Sequence, residues 1–192
     1  MILYRCLTEN DMTPQLFDNF IRRQFVTDCR RFENGHWIIK SDPFIDDWTA
    51  QDYAQLIKDL KNLYAHGGFI IGAFIDGILK GFASVDGRLK GSCCQYADLT
   101  NLHVSEDFRR RGIGSQLFNI ASDFAKSIGA KKLYISSHSA IETQNFYKHM
   151  GCIDTKEPIA SHVEAEPYEY SCAAEPPVRC GVSHLSRRNE PL

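Results

Sequence analysis

The chain has 192 residues, a formal net charge of -2 and 43% hydrophobic residues. That suits one compact domain with a real core and excludes a disordered chain. It also lacks the overall basic field that nucleic acid would attract.

The elements follow in chain order. Met1 to Leu7 reads as a strand. It runs straight from the N-terminus without the apolar stretch of a signal peptide. Thr13 to Val26 reads as a helix, with Leu16, Phe17, Phe20 and Ile21 at helical spacing. The pattern breaks from Thr27 to Trp48, which reads as a long loop with at most a small hairpin at Asn34-Gly35. Thr49 and Asp52 give a capping box for a second helix, whose face is Tyr53, Leu56, Ile57, Leu60, Leu63 and Tyr64. Phe69 to Ile75, Asp76-Gly77 and Ile78 to Val85 form a hairpin. Gln95 to Val104 is a further strand, Gly112 to Ile128 a helix, Lys132 to Ser136 a strand and Ala140 to Met150 a short helix. Tyr168 to Cys172 is expected as a last strand. From Ala173 onward the chain is rich in proline, without apolar period, and is expected to form a poorly ordered tail. The order β-α-α-β-β-β-α-β-α-β implies a mixed α/β fold with helices on both faces of the sheet, one domain over residues 1–172.

Seven cysteines are present, an odd number with no zinc spacing, and Cys93-Cys94 are adjacent. No metal is expected. The thiols suit a reducing cytoplasm, and no stretch approaches the ~20 apolar residues of a membrane span. No nucleic-acid or membrane partner is expected, and a homodimer is only the base-rate expectation for an oligomer.

Chemistry concentrates at Arg109-Arg110-Arg111-Gly112-Ile113-Gly114-Ser115, which opens a helix after a strand. First-turn amides lack partners within their helix and carry the positive end of its dipole, so a phosphate there accepts several bonds at once. Glycines let the backbone approach, and arginines add cations. A P-loop would need Lys-Ser or Lys-Thr after the glycines, and a dinucleotide fingerprint a third glycine where Leu117 stands. Alone, the turn also fits an arginine-rich corner with no ligand.

In context, "LHVSEDFRRRGIGSQLF" resembles the central signature of the GCN5-related N-acetyltransferase superfamily. The resemblance implies a mixed, mostly antiparallel central sheet with acetyl-CoA in a cleft where two strands splay. It implies that the amides from Arg110 through Ser115 cradle the pyrophosphate, beside Arg109. It further implies that Leu102, His103 and Val104 pair their backbone with the pantetheine arm, as an added strand would. The likeness runs through Cys152 and lapses beyond about Cys172.

"SAIETQNFYKHMGC" supports the same family, with Tyr147 and Gly151 at its Tyr-to-Gly spacing. The resemblance implies a Tyr147 hydroxyl near the acetyl-CoA sulfur, where a phenol can protonate the leaving thiolate. Thr143 and Gln144 share the Tyr147 face and are candidate cofactor contacts, ahead of Asn145 and Lys148. Asp98 occupies the position from which some members use a carboxylate as general base. Strand alternation would set Asp98, Thr100 and Leu102 on one face unless a bulge intervenes. The His103 side chain reads as a satisfied structural histidine, and Glu142 and His138 are remoter candidates.

The acceptor is read from the segment between Thr27 and Trp48. Glu33, Asp42, Asp46 and Asp47 lie there among Trp37, Phe44 and Trp48. Acids with aromatics suit a small cationic amine, of aminoglycoside or polyamine type. A peptide amine and a non-catalytic acyl-CoA sensor are the alternatives, and nucleotide binding at the same turn is a weaker one.

Overall fold

The computed structural model describes residues 1–34, 36–137, 139–155, 157–159, 162 and 170–175. Strand β1 (Ile2–Cys6) leads into a 3-10 turn at Pro14–Phe17. Two long strands follow, β2 (Arg23–Glu33) and β3 (His36–Asp47), then helix α1 (Ala50–Ala65). Next come β4 (Phe69–Ile75), β5 (Ile78–Val85), β6 (Tyr96–Val104) and helix α2 (Ile113–Ser127). The chain continues through β7 (Lys132–Ser137), α3 (Ile141–His149), β8 (Ile153–Asp154) and β9 (Tyr170–Ala174). The main sheet has the order β1-β4-β5-β6-β7-β9-β8. Its pairs are antiparallel except β6 with β7. The expected α/β architecture is therefore present.

Helices cover both faces because β4 and β5 are buried on both. Ile71, Ala73, Ala83 and Val85 pack with Ile113, Leu117 and Ala121 of α2, in a cluster that Tyr147 of α3 joins. Ile70, Phe74, Leu79 and Phe82 pack with Leu56, Ile57 and Leu60 of α1. Thr49 caps α1 as its sequence requires, accepting from the Asp52 amide while Asp52 accepts from the Thr49 amide at 2.7 Å. Asp76 (φ 51°) and Gly77 (φ 80°) form the two-residue turn between β4 and β5.

Three expectations are corrected. The stretch from Thr13 to Val26 is not an α-helix: it holds one 3-10 turn, and β2 begins at Arg23. Residues three apart share a side in either helix type. Phe17 and Phe20 thus meet Phe82 and each other without an α-helix. The segment from Thr27 to Trp48 is not a loop but most of a long hairpin, registered from Arg23↔Asp47 to Glu33↔His36 with a bulge between Val26 and Asp28. Its many charges hide the strand pattern. Finally, β9 runs to Ala174, two residues into the expected tail; what lies beyond residue 175 is outside the described residues.

Among the described residues no helix is long and apolar enough to cross a membrane, and no three potential metal ligands cluster.

Candidate active site

The turn before α2 is built by its neighbours. Ser105 is fully buried and takes a bond from the Ile21 amide at 2.9 Å. It donates to Asp107, which also receives Lys80 Nζ at 2.7 Å. Burial alone would raise the Asp107 carboxyl, but those bonds outweigh it and hold it below the usual carboxylate range. Lys80 is itself buried and donates to the Asn19 carbonyl at 2.9 Å. This network fixes the chain as it leaves β6. Arg110 then takes φ 63° and Gly112 φ 78°, and α2 starts without any side-chain cap. Ile113 and Leu117 anchor the helix in the core.

The turn fits a phosphate. A Cβ added at Gly112 would meet nothing within 4 Å, so this glycine is demanded by its backbone angle and opens onto free space. At Gly114 a Cβ would lie 3.5 Å from Phe146 and 3.6 Å from Val104, ordinary contact. Packing alone therefore does not require glycine there. Arg110 is exposed, as is Arg111, which stacks over Phe108 at 4.6 Å. Arg109 differs from the other two. Its Nε donates to the Val104 carbonyl at 3.2 Å and its Nη2 to the Arg23 carbonyl. Burial, then the nearby Arg22, disfavours its charge. Arg109 ties the end of β6 to the β2–β3 hairpin.

Beside this turn the sheet opens. β6 and β7 pair only over Tyr96↔Lys132, Ala97↔Leu133 and Asp98↔Tyr134. Beyond that rung β7 continues with β9, and β6 continues with β5. Among the described residues, Leu99 to Val104 have no partner on the β7 side, which leaves a seam whose backbone edge includes Leu102, His103 and Val104. A register shift between Ser84 and Val85 bulges β6. Ala97 and Leu99 pack toward α2, and so do Leu102 and Val104. Asp98 therefore does not share a face with Leu102. The bulge reverses the alternation that would have joined them.

Asp98 is fully buried. Its Oδ2 receives Lys90 Nζ at 2.5 Å and His162 Nε2 at 2.8 Å, while Oδ1 has no partner among the described residues. Lys90 also lies 3.6 Å from Asp86. No motif connects Lys90 or His162 to Asp98 in the sequence, and sequence reasoning missed both.

His103 is a structural histidine. Arg22 Nε donates to its Nδ1 at 3.1 Å, so the ring is neutral with its proton on Nε2. Burial, then Arg22 and Arg109, pushes it down to about 3. Arg22 in turn donates to Asp46 at 2.5 Å and lies over Trp48. Two more acids of the hairpin are engaged in the same way, Asp42 by Arg31 at 2.6 Å and Glu33 by Lys40 at 3.0 Å.

On α3, Tyr147 is buried against Phe118 and Phe146. Thr143 accepts from Gln24 of β2 at 3.5 Å. Gln144 is fully buried and, among the described residues, neither its Oε1 nor its Nε2 has a partner. An orphaned amide of this kind costs about 1–3 kcal/mol. Glu142 is exposed, and His138 lies outside the described residues.

An uncapped helix start beside an opened strand pair suits a transferase whose donor carries phosphates on an extended arm. Residues 30–152 match the model of the acetyltransferase (GNAT) family. The chain belongs to that family and is an acetyl-CoA-dependent acetyltransferase. Among solved structures it resembles nourseothricin acetyltransferase, with 17% identity, 92% of this chain and 99% of the other covered, and a TM-score of 0.65. It also resembles a candidate streptothricin acetyltransferase from Bacillus anthracis str. Ames in complex with acetyl coenzyme A, with 14% identity, 90% and 96% covered, and a TM-score of 0.65. A third is PaiA N-acetyltransferase from Thermoplasma acidophilum in complex with coenzyme A, with 16% identity, 91% and 99% covered, and a TM-score of 0.58. At these identities the likeness is one of fold. No curated protein matches the sequence significantly.

Proposed function

We propose that the protein moves the acetyl group of acetyl-CoA to a primary amine of a small cationic molecule, of aminoglycoside or polyamine type. The observation that carries this reading is the seam between β6 and β7, which starts at the uncapped N-terminus of α2 and closes at Asp98. In this reading the amides of Arg110 to Ser115 hold the pyrophosphate, with the exposed Arg110 and Arg111 supplying charge. Arg109 shapes the turn rather than gripping phosphate. The pantetheine arm pairs along Leu102, His103 and Val104, with Thr143 alongside. Tyr147 protonates the departing thiolate, and the amine's proton is drawn toward Asp98. The amine attacks the thioester directly, without an acyl-enzyme.

The acceptor's charge is inferred from Asp47. It is exposed, and among the described residues it has no ion-pair partner, unlike Asp46, Asp42 and Glu33. Two fold relatives are named as acetyltransferases of nourseothricin and streptothricin. The test is thiol release from acetyl-CoA across a panel of polyamines, aminoglycosides, streptothricins and peptides. Turnover with one of the first three classes is expected. Turnover with peptides alone makes the protein a peptide acetyltransferase. Tight CoA binding with no turnover on any amine makes it an acyl-CoA sensor.

A further inference from the structure

The bulge in β6 builds a polar spot at the middle of the seam. Ser84 pairs with Asn101 and Val85 with Leu99, so Thr100 is the extra residue. Ala83 and Val85 pack toward α2, so Ser84 faces the other side of the sheet, where Phe82 meets His103. Three side chains join there in a chain of one direction. The Thr100 hydroxyl donates to the Ser84 carbonyl at 3.2 Å. Its proton is thereby committed, so the Ser84 hydroxyl donates to Thr100 Oγ1 at 2.7 Å. Asn101 Nδ2 in turn donates to Ser84 Oγ at 2.9 Å. Ser84 is fully buried, which shields these bonds from water. The order of donors fixes which way the Asn101 amide lies. Its Nδ2 is held, and among the described residues no donor reaches its Oδ1. Asn101 is only half-buried and Thr100 is exposed, whereas the Asp98 side chain is 1% exposed. An incoming molecule can therefore reach Oδ1 where it cannot reach the carboxylate.

We infer that Asn101 Oδ1 is the docking atom for the acceptor amine, and that Ser84 and Thr100 are positioning residues acting through it. This deepens the acetyl-transfer reading and rests on it. In that reading the pantetheine arm runs along Val104, His103 and Leu102, and Asn101 is the residue it reaches next. The thioester carbon arrives beside Oδ1. A neutral primary amine has two N–H groups and a lone pair. One N–H bonded to the fixed oxygen leaves the lone pair free to face the thioester carbon, so the attack begins from an oriented amine. Asn101 is uncharged, and it holds the amine without favouring the ammonium as a carboxylate would.

The experiment compares wild type with Asn101→Ala, Asn101→Asp and Ser84→Ala, measuring kcat and kcat/KM against pH with the best amine of the panel, and CoA affinity by titration. Asn101→Ala should lower kcat/KM by roughly 10-fold or more with CoA affinity unchanged. Asn101→Asp keeps an acceptor oxygen but adds a negative charge, which favours the bound ammonium. The rise of kcat with pH should therefore move up by about one pH unit or more, a displacement that a merely structural asparagine would not produce. Ser84→Ala releases the amide and should cost less than Asn101→Ala, and adding it to Asn101→Ala should cost little more, since the two act as one unit. Wild-type kcat/KM in Asn101→Ala overturns the inference, as does an Asn101→Asp profile that rises at the wild-type pH. Loss of CoA affinity in both Asn101 variants also overturns it, because the residue then holds the donor. A wild-type protein that releases no thiol with any amine overturns the transferase reading and this inference with it.

Discussion

The turn before α2 and the β2–β3 hairpin are both rich in arginine, and they hold charge in opposite ways. At the hairpin three acids are closed by cations: Asp46 by Arg22, Asp42 by Arg31 and Glu33 by Lys40. In the turn, Arg110 and Arg111 are exposed and, among the described residues, have no carboxylate within salt-bridge reach, and the helix start behind them is uncapped. Charge that is already neutralised serves the fold. Charge left open beside unsatisfied backbone amides is where an anionic ligand gains most. The same residue type therefore serves the scaffold in one region and, in the proposed function, the ligand in the other. Arg109 belongs with the hairpin in this respect, because two carbonyls occupy its guanidinium.

The contrast can be broken most sharply at Gly112. Gly112→Asp places a carboxylate in the open space before α2, and CoA affinity should fall by more than ~100-fold, while the chain stays folded because aspartate tolerates φ 78° at a cost of about 1 kcal/mol. Isothermal titration with CoA reads the loss, and unchanged affinity would show that the phosphate lies elsewhere. On the hairpin side, Asp46→Ala should act on stability. It strands the largely buried Arg22, whose side chain is 10% exposed, at a cost of about 3 kcal/mol read by urea unfolding. CoA affinity should hardly move. Tyr147→Phe should lower kcat by roughly 10²-fold with CoA binding intact; steady-state rates with the best amine of the panel test this.

A smaller effect comes from the neutral His103. Its folded value, about 3, lies below the ordinary 6.5, so between those values the unfolded chain binds a proton that the folded chain does not. Stability is therefore undiminished above about pH 6.5 and falls by about 1.4 kcal/mol per pH unit as pH drops toward 3. His103→Gln should remove that slope in urea titrations between pH 6 and 4. The smallest change is expected at Glu33→Gln. Its exposed pair with Lys40 is worth less than ~1 kcal/mol, and a thermal shift above a few degrees would contradict that.

The amino-acid sequence by itself determined the donor half. A helix start, its glycines and the α1 capping box are local, so Gly112, Gly114, Thr49 and Asp52 announce them within a few residues. The Asp76-Gly77 turn is legible for the same reason. The sequence also placed Tyr147 on a helix face by spacing alone. What only the tertiary structure decided is the acceptor half. Whether Asp42, Asp46 or Glu33 is open to a substrate depends on Arg31, Arg22 and Lys40 lying opposite, and a charged hairpin reads as a loop until its two strands are paired. The face of Asp98 turned on a bulge in β6, which no residue type signals. Its bond to His162 joins positions far apart in the chain. The turn before α2 draws on both: Gly112 and its backbone angle are local, while Ile21, Asn19 and Lys80 reach it only in the folded chain.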